Sequence, residues 1–584
     1  MRAGSSYSSV RQRPASASPA LRMTSTRVRC VLLVLAALFL ALVGRAMYLQ
    51  LVQQDFLQNQ GDARFRRTLT LEANRGVITD RNGEPLAIST PVQTIWASPA
   101  DMEPVPPAKL RELADLLELS PEELSAKLSD RKKEFVYIKR QISPELADKV
   151  MALGIPGIAK QQEYRRFYPT GEVTAHIIGF TGVDGKGQEG VELAREKMLA
   201  GHDGRRVVLK DRRGHIIEDV AAIEPPRDGQ KLALAVDQRI QYLAFREIKN
   251  AVEINKAKGG SVVVLDAHTG ELLALANYPS YNPNNRVGVT PEMMRNRGVI
   301  DLFEPGSTMK PLSISLALEH GKANLKTVLD THSYMIGPAV VRDVSPQPSL
   351  DILGIIQKSS NVGTSKLALM STPEEFWKHY DALGFGRAPD TGFPGEASGR
   401  LRDWHKWRPI EQATMSFGYG VSVSLIQMAR AYTIFANDGV MLPISLYKTN
   451  NPMPGKRVID VKTAHEMRDL LIANSQPGGG GVNGRIIGYS IGAKSGTARK
   501  LEGRTYVANK HRALFMGFAP GHAPKVIVAV MLDEPSAGKY YGGAVSAPVF
   551  ANVAGGALRI LNVPPDEPSN NTLLPESTPV PADF

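Results

Sequence analysis

The sequence predicts an α+β multidomain chain on a single N-terminal transmembrane helix: an α+β pedestal domain, then a larger domain in which helices flank a sheet. Three observations carry this. At ~150 residues per domain, 584 residues call for three to four units rather than one core. One apolar stretch, Cys30 to Gly44, runs uninterrupted and continues to Leu51 with Arg45 snorkelling, enough to cross ~30 Å of hydrocarbon. Beyond it, windows with apolar spacing near 3.6 alternate with short β-branched runs bounded by turn residues. The composition, 43% apolar and 22% charged, argues against a disordered, collagen-like or multispanning chain. With one cysteine, Cys30, an intramolecular disulfide, a Cys-rich zinc module and a Cys-ligated iron–sulfur cluster are all excluded.

Residues 1–29 form a basic tail, with Arg2, Arg11, Arg13, Arg22, Arg27 and Arg29 and no acid. This tail holds half of the net charge of +12. By the positive-inside rule it is cytoplasmic, which places about 530 residues across the membrane. A cleaved signal peptide is the alternative, but Arg45 inside the only cleavage-like stretch and a 29-residue leader are atypical. The remaining positive charge is spread thinly, so nucleic acid is not an expected partner.

After the anchor (30–51), residues 52–226 read as a stalk and a non-catalytic pedestal of the dimerisation type. Arg75–Asp80 is strand-like before a turn at Arg81-Asn82-Gly83, and PAKLRELADLLEL is helix-like. Pro225-Pro226 marks a boundary, and Lys231–Val236 and Ile240–Val252 should open the larger domain (227–562) as a strand and a helix. Two strands follow, joined at His268-Thr269-Gly270; then come a long helical stretch, three apolar strands and a helix from about Ser546 to Leu561. That order suggests one sheet assembled from both ends of the domain, with helices packed on it. Residues 563–584 are rich in Pro, Ser and Asn and are expected to be disordered.

Four Ser-x-x-Lys patterns occur: Ser129/Lys132, Ser307/Lys310, Ser445/Lys448 and Ser536/Lys539. A serine nucleophile needs a base beside its hydroxyl, and positions i and i+3 of a helix face one another. Only Ser307 has the setting. Pro305-Gly306 makes a turn, and an apolar helix follows whose N-terminus offers N–H donors and positive potential. A buried Lys310 would lose its charge readily, as a general base at neutral pH requires. A serine N-cap with a solvated lysine is the plainer reading of this motif alone.

Ser359-Ser360-Asn361 lies 52 residues on. A hydroxyl at Ser359 could relay a proton to a leaving amine, and the Asn361 amide could orient Lys310 and bind a peptide; a turn or cap cluster is the alternative. Lys494-Ser495-Gly496-Thr497 lies 135 residues beyond Ser359 on an expected strand. There, glycine would let a substrate backbone approach the strand edge, and Lys494 with two hydroxyls suits a carboxylate. Gly185–Gly190 matches a dinucleotide-binding glycine pattern, but no repeating βαβ unit develops around it. The histidines show no i, i+4 pair, so no metal site is legible, and no cofactor is implied.

Together, Ser307/Lys310, Ser359/Asn361 and Lys494/Ser495/Gly496 resemble the three motifs of the penicillin-binding protein and serine β-lactamase superfamily. RGVITDRNGEPLA (75–87), RRFYPTGEVTAHIIGFTG (165–182), GQEGVE (187–192), NRGVIDLFEPGSTMKP (296–311) and SFGYG (416–420) extend the resemblance over residues 30–560. They are most similar to the monofunctional, single-anchor (class B) proteins of the FtsI type, the division-specific peptidoglycan D,D-transpeptidases. Val423–Gln427 and Ser546 depart from the common family pattern outside the three motifs.

The resemblance implies a five-stranded antiparallel sheet between helical layers. It also implies a Ser307 acyl-enzyme formed on D-Ala-D-Ala stem peptides, with Lys310 as base, Ser359 as proton relay and the N–H groups of Ser307 and Thr497 as oxyanion hole. It implies covalent inhibition by β-lactams, residence in the inner membrane with a periplasmic catalytic domain, and partnership with an FtsW-type multispanning glycan polymerase and other divisome proteins. An elongation-specific paralogue, a β-lactam sensor or scaffold without transpeptidase activity, and a β-lactamase are the alternatives.

Overall fold

In the computed structural model, which describes residues 25–54, 66–100, 102–210, 216–503 and 505–571, the chain divides into two units. The first comprises residues 1–69 and 206–223. Its helix Ser25–Met47 continues as a π-helical turn over Tyr48–Val52, and the whole is long and apolar enough to cross a membrane. None of its residues is buried against protein, which leaves the apolar surface for hydrocarbon. The helix starts at Ser25, so Arg27 and Arg29 lie on its first turns; the rest of the basic tail lies outside the described residues. Strands Arg66–Leu71, Gly204–Lys210 and Ile216–Glu224 form a three-stranded sheet in that order.

The second unit comprises residues 70–205 and 224–584. Its pedestal is built on strand Pro85–Ala97, flanked by Val136–Ile142 and Ile158–Phe167, both antiparallel to it. Helices Pro107–Leu116, Pro121–Leu128 and Pro144–Ala152 pack on these strands through Leu113, Leu124 and Val150. Each of the three carries proline in its first turn, and the Ser120 and Ser143 side chains cap the second and third.

The strand expected to open the larger domain is instead a short one, Leu232–Ala233, paired parallel to Ile78–Thr79 in the pedestal sheet. An apolar run fits either sheet, and only its backbone partners decide. The Gly185–Gly190 pattern is also resolved. A Cβ on Gly190 would lie 2.6 Å from Gly179 N and Ile177 O, so that glycine permits close backbone packing.

The larger domain holds a five-stranded, wholly antiparallel sheet. Its strand order is Leu272–Tyr278, Gly259–Asp266, Val526–Asp533, Thr505–Ala519, Gly492–Glu502. Both faces are covered. Val263, Leu265, Leu514, Met516 and Phe518 enter the core shared with the central helices; Val262, Val264, Phe515, Val528 and Val530 pack with helices Gln238–Ile254 and Ala547–Ile560. Two-sided burial is why these strands read as continuous apolar runs rather than alternating ones.

Residues 563–571, expected to be disordered, are tied down. Tyr489 donates to Val563 O at 2.7 Å, Ser490 N and Oγ both donate to Asp566, and Asn571 Nδ2 donates to Ile486 O at 3.0 Å. Composition signals a lack of core-forming residues but not such polar docking. Residues 572–584 lie outside the described residues.

Candidate active site

The Ser307 turn forms where Gly306, at φ +54°, reverses the chain after Pro305. A 3₁₀ turn, Gly306–Met309, carries Ser307 and leads into the α-helix Lys310–Glu319. Ser307 therefore sits one tight turn ahead of the α-helix. Thr308 Oγ1 donates to Pro305 O at 2.7 Å, and Gly306 N donates to Gly418 O at 3.2 Å. A Cβ on Gly418 would lie 2.2 Å from Gly306 O, which accounts for glycine in the SFGYG segment. Burial separates the four Ser-x-x-Lys patterns: Lys132, Lys448 and Lys539 are exposed, whereas Lys310 is 0% exposed.

Lys310 Nζ donates to the Ser359 carbonyl and, at 3.1 Å, to Ser359 Oγ. Lys494 Nζ, 1% exposed, reaches the same Oγ at 3.1 Å and Ser495 O at 3.0 Å. Two ammonium groups at one hydroxyl repel each other, and burial penalises charge further. Accordingly, burial first and the Lys494 charge second hold the Lys310 amine well below its ordinary range, with Asp343 opposing them. With Lys310 neutral, the Ser359 hydroxyl can accept from Lys494 and donate to Lys310, a two-step proton path.

Ser359 itself has φ +51°, a sparsely populated conformation for a residue with a side chain and one that collects at functional sites. It is held there by Ser360, which caps helix Asn361–Leu369 and donates to Asp343 Oδ2 at 2.5 Å, while Val362 N donates to Asp343 Oδ1 at 2.9 Å. Asn361 Nδ2 donates to Arg342 O at 3.1 Å, so the bonds that hold Lys310 come from Ser359.

Lys494–Thr497 lies on the edge strand of the sheet, paired with Ala513–Met516. A Cβ on Gly496 would lie 2.8 Å from Thr308 Cγ2 and 3.1 Å from Thr308 N. The close approach this glycine permits is thus to the turn that carries Ser307. Thr497 Oγ1 accepts from Gly542 N at 3.0 Å.

Ser307, Ser359, Asn361, Lys494, Ser495, Gly496 and Thr497 all line one cleft of about 340 Å³, with Lys310 buried beneath. The Tyr540–Tyr541 pair forms part of its wall, and Tyr540 stacks on His511 at 4.2 Å. Burial and then Arg499 push the His511 imidazole below its ordinary range. Tyr419, within the SFGYG segment, also lines the cleft, as do Arg499, His511 and the glycines 478–480, which were not singled out from sequence. Arg499 and His511 face one another across the strand pair, and a period-2 count from Thr497 would have found Arg499.

Comparison with known proteins finds matches to both domains. Residues 260–555 match the penicillin binding protein transpeptidase domain, and residues 70–234 the penicillin-binding protein dimerisation domain; the latter ends just after strand Leu232–Ala233. The chain is 49% identical over 550 residues to the probable peptidoglycan D,D-transpeptidase PenA of Neisseria meningitidis (94% of this chain, 95% of that one). It is 44% identical over 542 residues to the peptidoglycan D,D-transpeptidase FtsI of Escherichia coli (92% and 91%). It is 42% identical over 541 residues to the probable peptidoglycan D,D-transpeptidase PbpC of Pseudomonas aeruginosa (92% and 95%). With both domains in order behind one apolar helix, and relatives matched over nearly their whole length, the chain belongs to the FtsI-type, class B penicillin-binding proteins, the family of serine peptidoglycan D,D-transpeptidases.

Proposed function

We propose that this protein cross-links stem peptides at the division septum through an acyl-enzyme on Ser307. The observation that carries the reading is the convergence of Lys310 and Lys494 on the Ser359 hydroxyl, in the cleft that Ser307 lines. Neutral Lys310 takes the Ser307 proton, and Ser307 Oγ attacks the carbonyl of the D-Ala-D-Ala bond. The N–H groups of Ser307 and Thr497 hold the oxyanion. Ser359 passes a proton to the departing D-Ala, and the amine of a neighbouring stem peptide resolves the acyl-enzyme. Asn361 contacts the peptide. Lys494, Ser495 and Thr497 receive the donor carboxylate and backbone beside Gly496, and β-lactams acylate the same serine.

The arginines ahead of the apolar helix support a cytoplasmic N-terminus and a periplasmic catalytic domain. Similarity to FtsI supports the septal role, an FtsW-type polymerase as partner and contacts with other divisome proteins. The test uses the full chain in detergent with a thioester analogue of the donor peptide and a D-amino acid acceptor. Acceptor should enter the product with the native chain and not with Ser307→Ala. A stable adduct without turnover would replace this reading with a sensor, and rapid hydrolysis of penicillin with a β-lactamase.

A further inference from the structure

Glu304 stands three residues ahead of Ser307, and none of the three motifs accounts for it. Its Oε1 accepts from Gly420 N at 2.7 Å and from the Tyr506 hydroxyl at 3.1 Å. Its Oε2 is buried with no hydrogen-bond partner among the described residues, an arrangement that costs stability and that a purely packing role would not require.

The two donors flank Tyr419. Gly420 is the next residue, and the Tyr506 ring stands edge-on to Tyr419, with centroids 5.7 Å apart at 81°. Tyr419 lines the cleft together with Thr497 and Arg499, and the backbone of Arg499 is among the groups that draw its phenol down against burial. On the edge strand Gly492–Glu502, Arg499 is two residues beyond Thr497, so their N–H groups point the same way. An extended donor pairing with this edge would pass Thr497 and meet the Tyr419 phenol at the next outward N–H.

We propose that Glu304 is a positioning residue which, through Gly420 N–H and the Tyr506 hydroxyl, sets Tyr419 as the end-stop of the donor-peptide seat. This rests on reading Ser307 as the nucleophile and Lys494–Thr497 as that seat. The two bonds are charge-assisted while the carboxyl is ionised. Burial pushes this carboxyl above its ordinary range, and Gly420 N, Tyr506 and Arg512 draw it back. Tyr419 and Tyr506 lie above their ordinary range and stay neutral, and the arginines stay charged. His511, across from Arg499, also titrates in acid. The hold therefore weakens as pH falls through the raised Glu304 value.

The test is acylation of the full chain in detergent by benzylpenicillin, a donor mimic, from pH 5 to 8, for the native chain, Glu304→Ala, Glu304→Gln and Tyr419→Phe. Glu304→Ala should raise the half-saturating concentration about tenfold and leave the limiting rate within about twofold. Tyr419→Phe should shift the same parameter in the same direction. Glu304→Gln keeps an acceptor without the charge; it should be about threefold weaker than the native chain at pH 7.5 and hold that value as pH falls, while the native chain weakens toward it. Since His511 is present in both, a flattened profile belongs to Glu304. Identical profiles for native, Gln and Ala chains, or a change in limiting rate alone, would overturn the proposal. If Glu304→Ala does not melt cooperatively, the Glu304→Gln profile decides. A native adduct away from Ser307 would instead sink the nucleophile reading.

Discussion

Replacing Gly496 by alanine asks whether the edge strand sets the position of the turn that carries Ser307. The new Cβ would stand 2.8 Å from Thr308 Cγ2, 3.1 Å from Thr308 N and 3.3 Å from Pro305 O. Rotating Thr308 relieves only the first contact, and it breaks the 2.7 Å bond from Thr308 Oγ1 to Pro305 O, worth about 1 kcal/mol. The other two contacts are with backbone atoms. Retreat of the strand is opposed by Gly542, which lies so close that its own Cβ would meet Gly496 O at 2.3 Å. The turn must therefore move by a few tenths of an ångström. Overpacking of this kind costs about 1–3 kcal/mol, and melting should fall by only a few degrees. The chemistry is more sensitive: with about 10²-fold lost per ångström of misplacement, acylation should drop about three- to sixfold. The assay is the time course of benzylpenicillin labelling beside a melting curve on the same preparation. Native labelling at a native melting temperature would refute the argument, because it would mean that strand and turn do not abut.

Four further outcomes follow from the same geometry. Ser359→Ala removes the hydroxyl shared by Lys310 and Lys494 and should slow acylation by about 10- to 100-fold, the worth of one to two bonds to charged groups, measured as the second-order labelling rate. Asp343→Asn keeps an acceptor for Val362 N but removes the charge that raises Lys310; the acid limb of the labelling rate should move to lower pH, because neutral Lys310 then persists further down. His176 and His379 are buried and held at about 4 by desolvation. The unfolded chain therefore binds protons that the folded chain refuses, and the unfolding free energy from urea titration should fall as pH drops from about 6.5 to 4, by about 3 kcal/mol per histidine. Truncation before Val563 removes the Asp566 contacts to Ser490 and should cost about 2–4 kcal/mol, read from the melting curve.

Much of the site was legible because its chemistry is local in sequence: a hydroxyl and an amine one turn apart at Ser307/Lys310, and a compact KSGT run. The sheet was legible because two-sided burial writes long apolar runs such as Lys525–Asp533. What pairs with what was not. The run at Leu232–Ala233 joins the pedestal because its backbone meets Ile78–Thr79, a partner about 150 residues away that no local pattern names. The convergence of Lys310 and Lys494 on Ser359 was out of reach for the same reason, as was the role of Glu304, whose partners are a backbone N–H and a distant phenol. At the termini, Arg27 and Arg29 join the helix because arginine is a good helix former, and residues 563–571 are held by polar contacts rather than by a core.

The most direct test of the account is the mass of the full chain after mixing with benzylpenicillin, with the adduct located by peptide mapping, beside Ser307→Ala and Lys310→Ala. The account predicts one long-lived adduct of intact penicillin mass on the peptide carrying Ser307, absent from both variants. An adduct on any other residue, or one that persists in Lys310→Ala at the native rate, would contradict it.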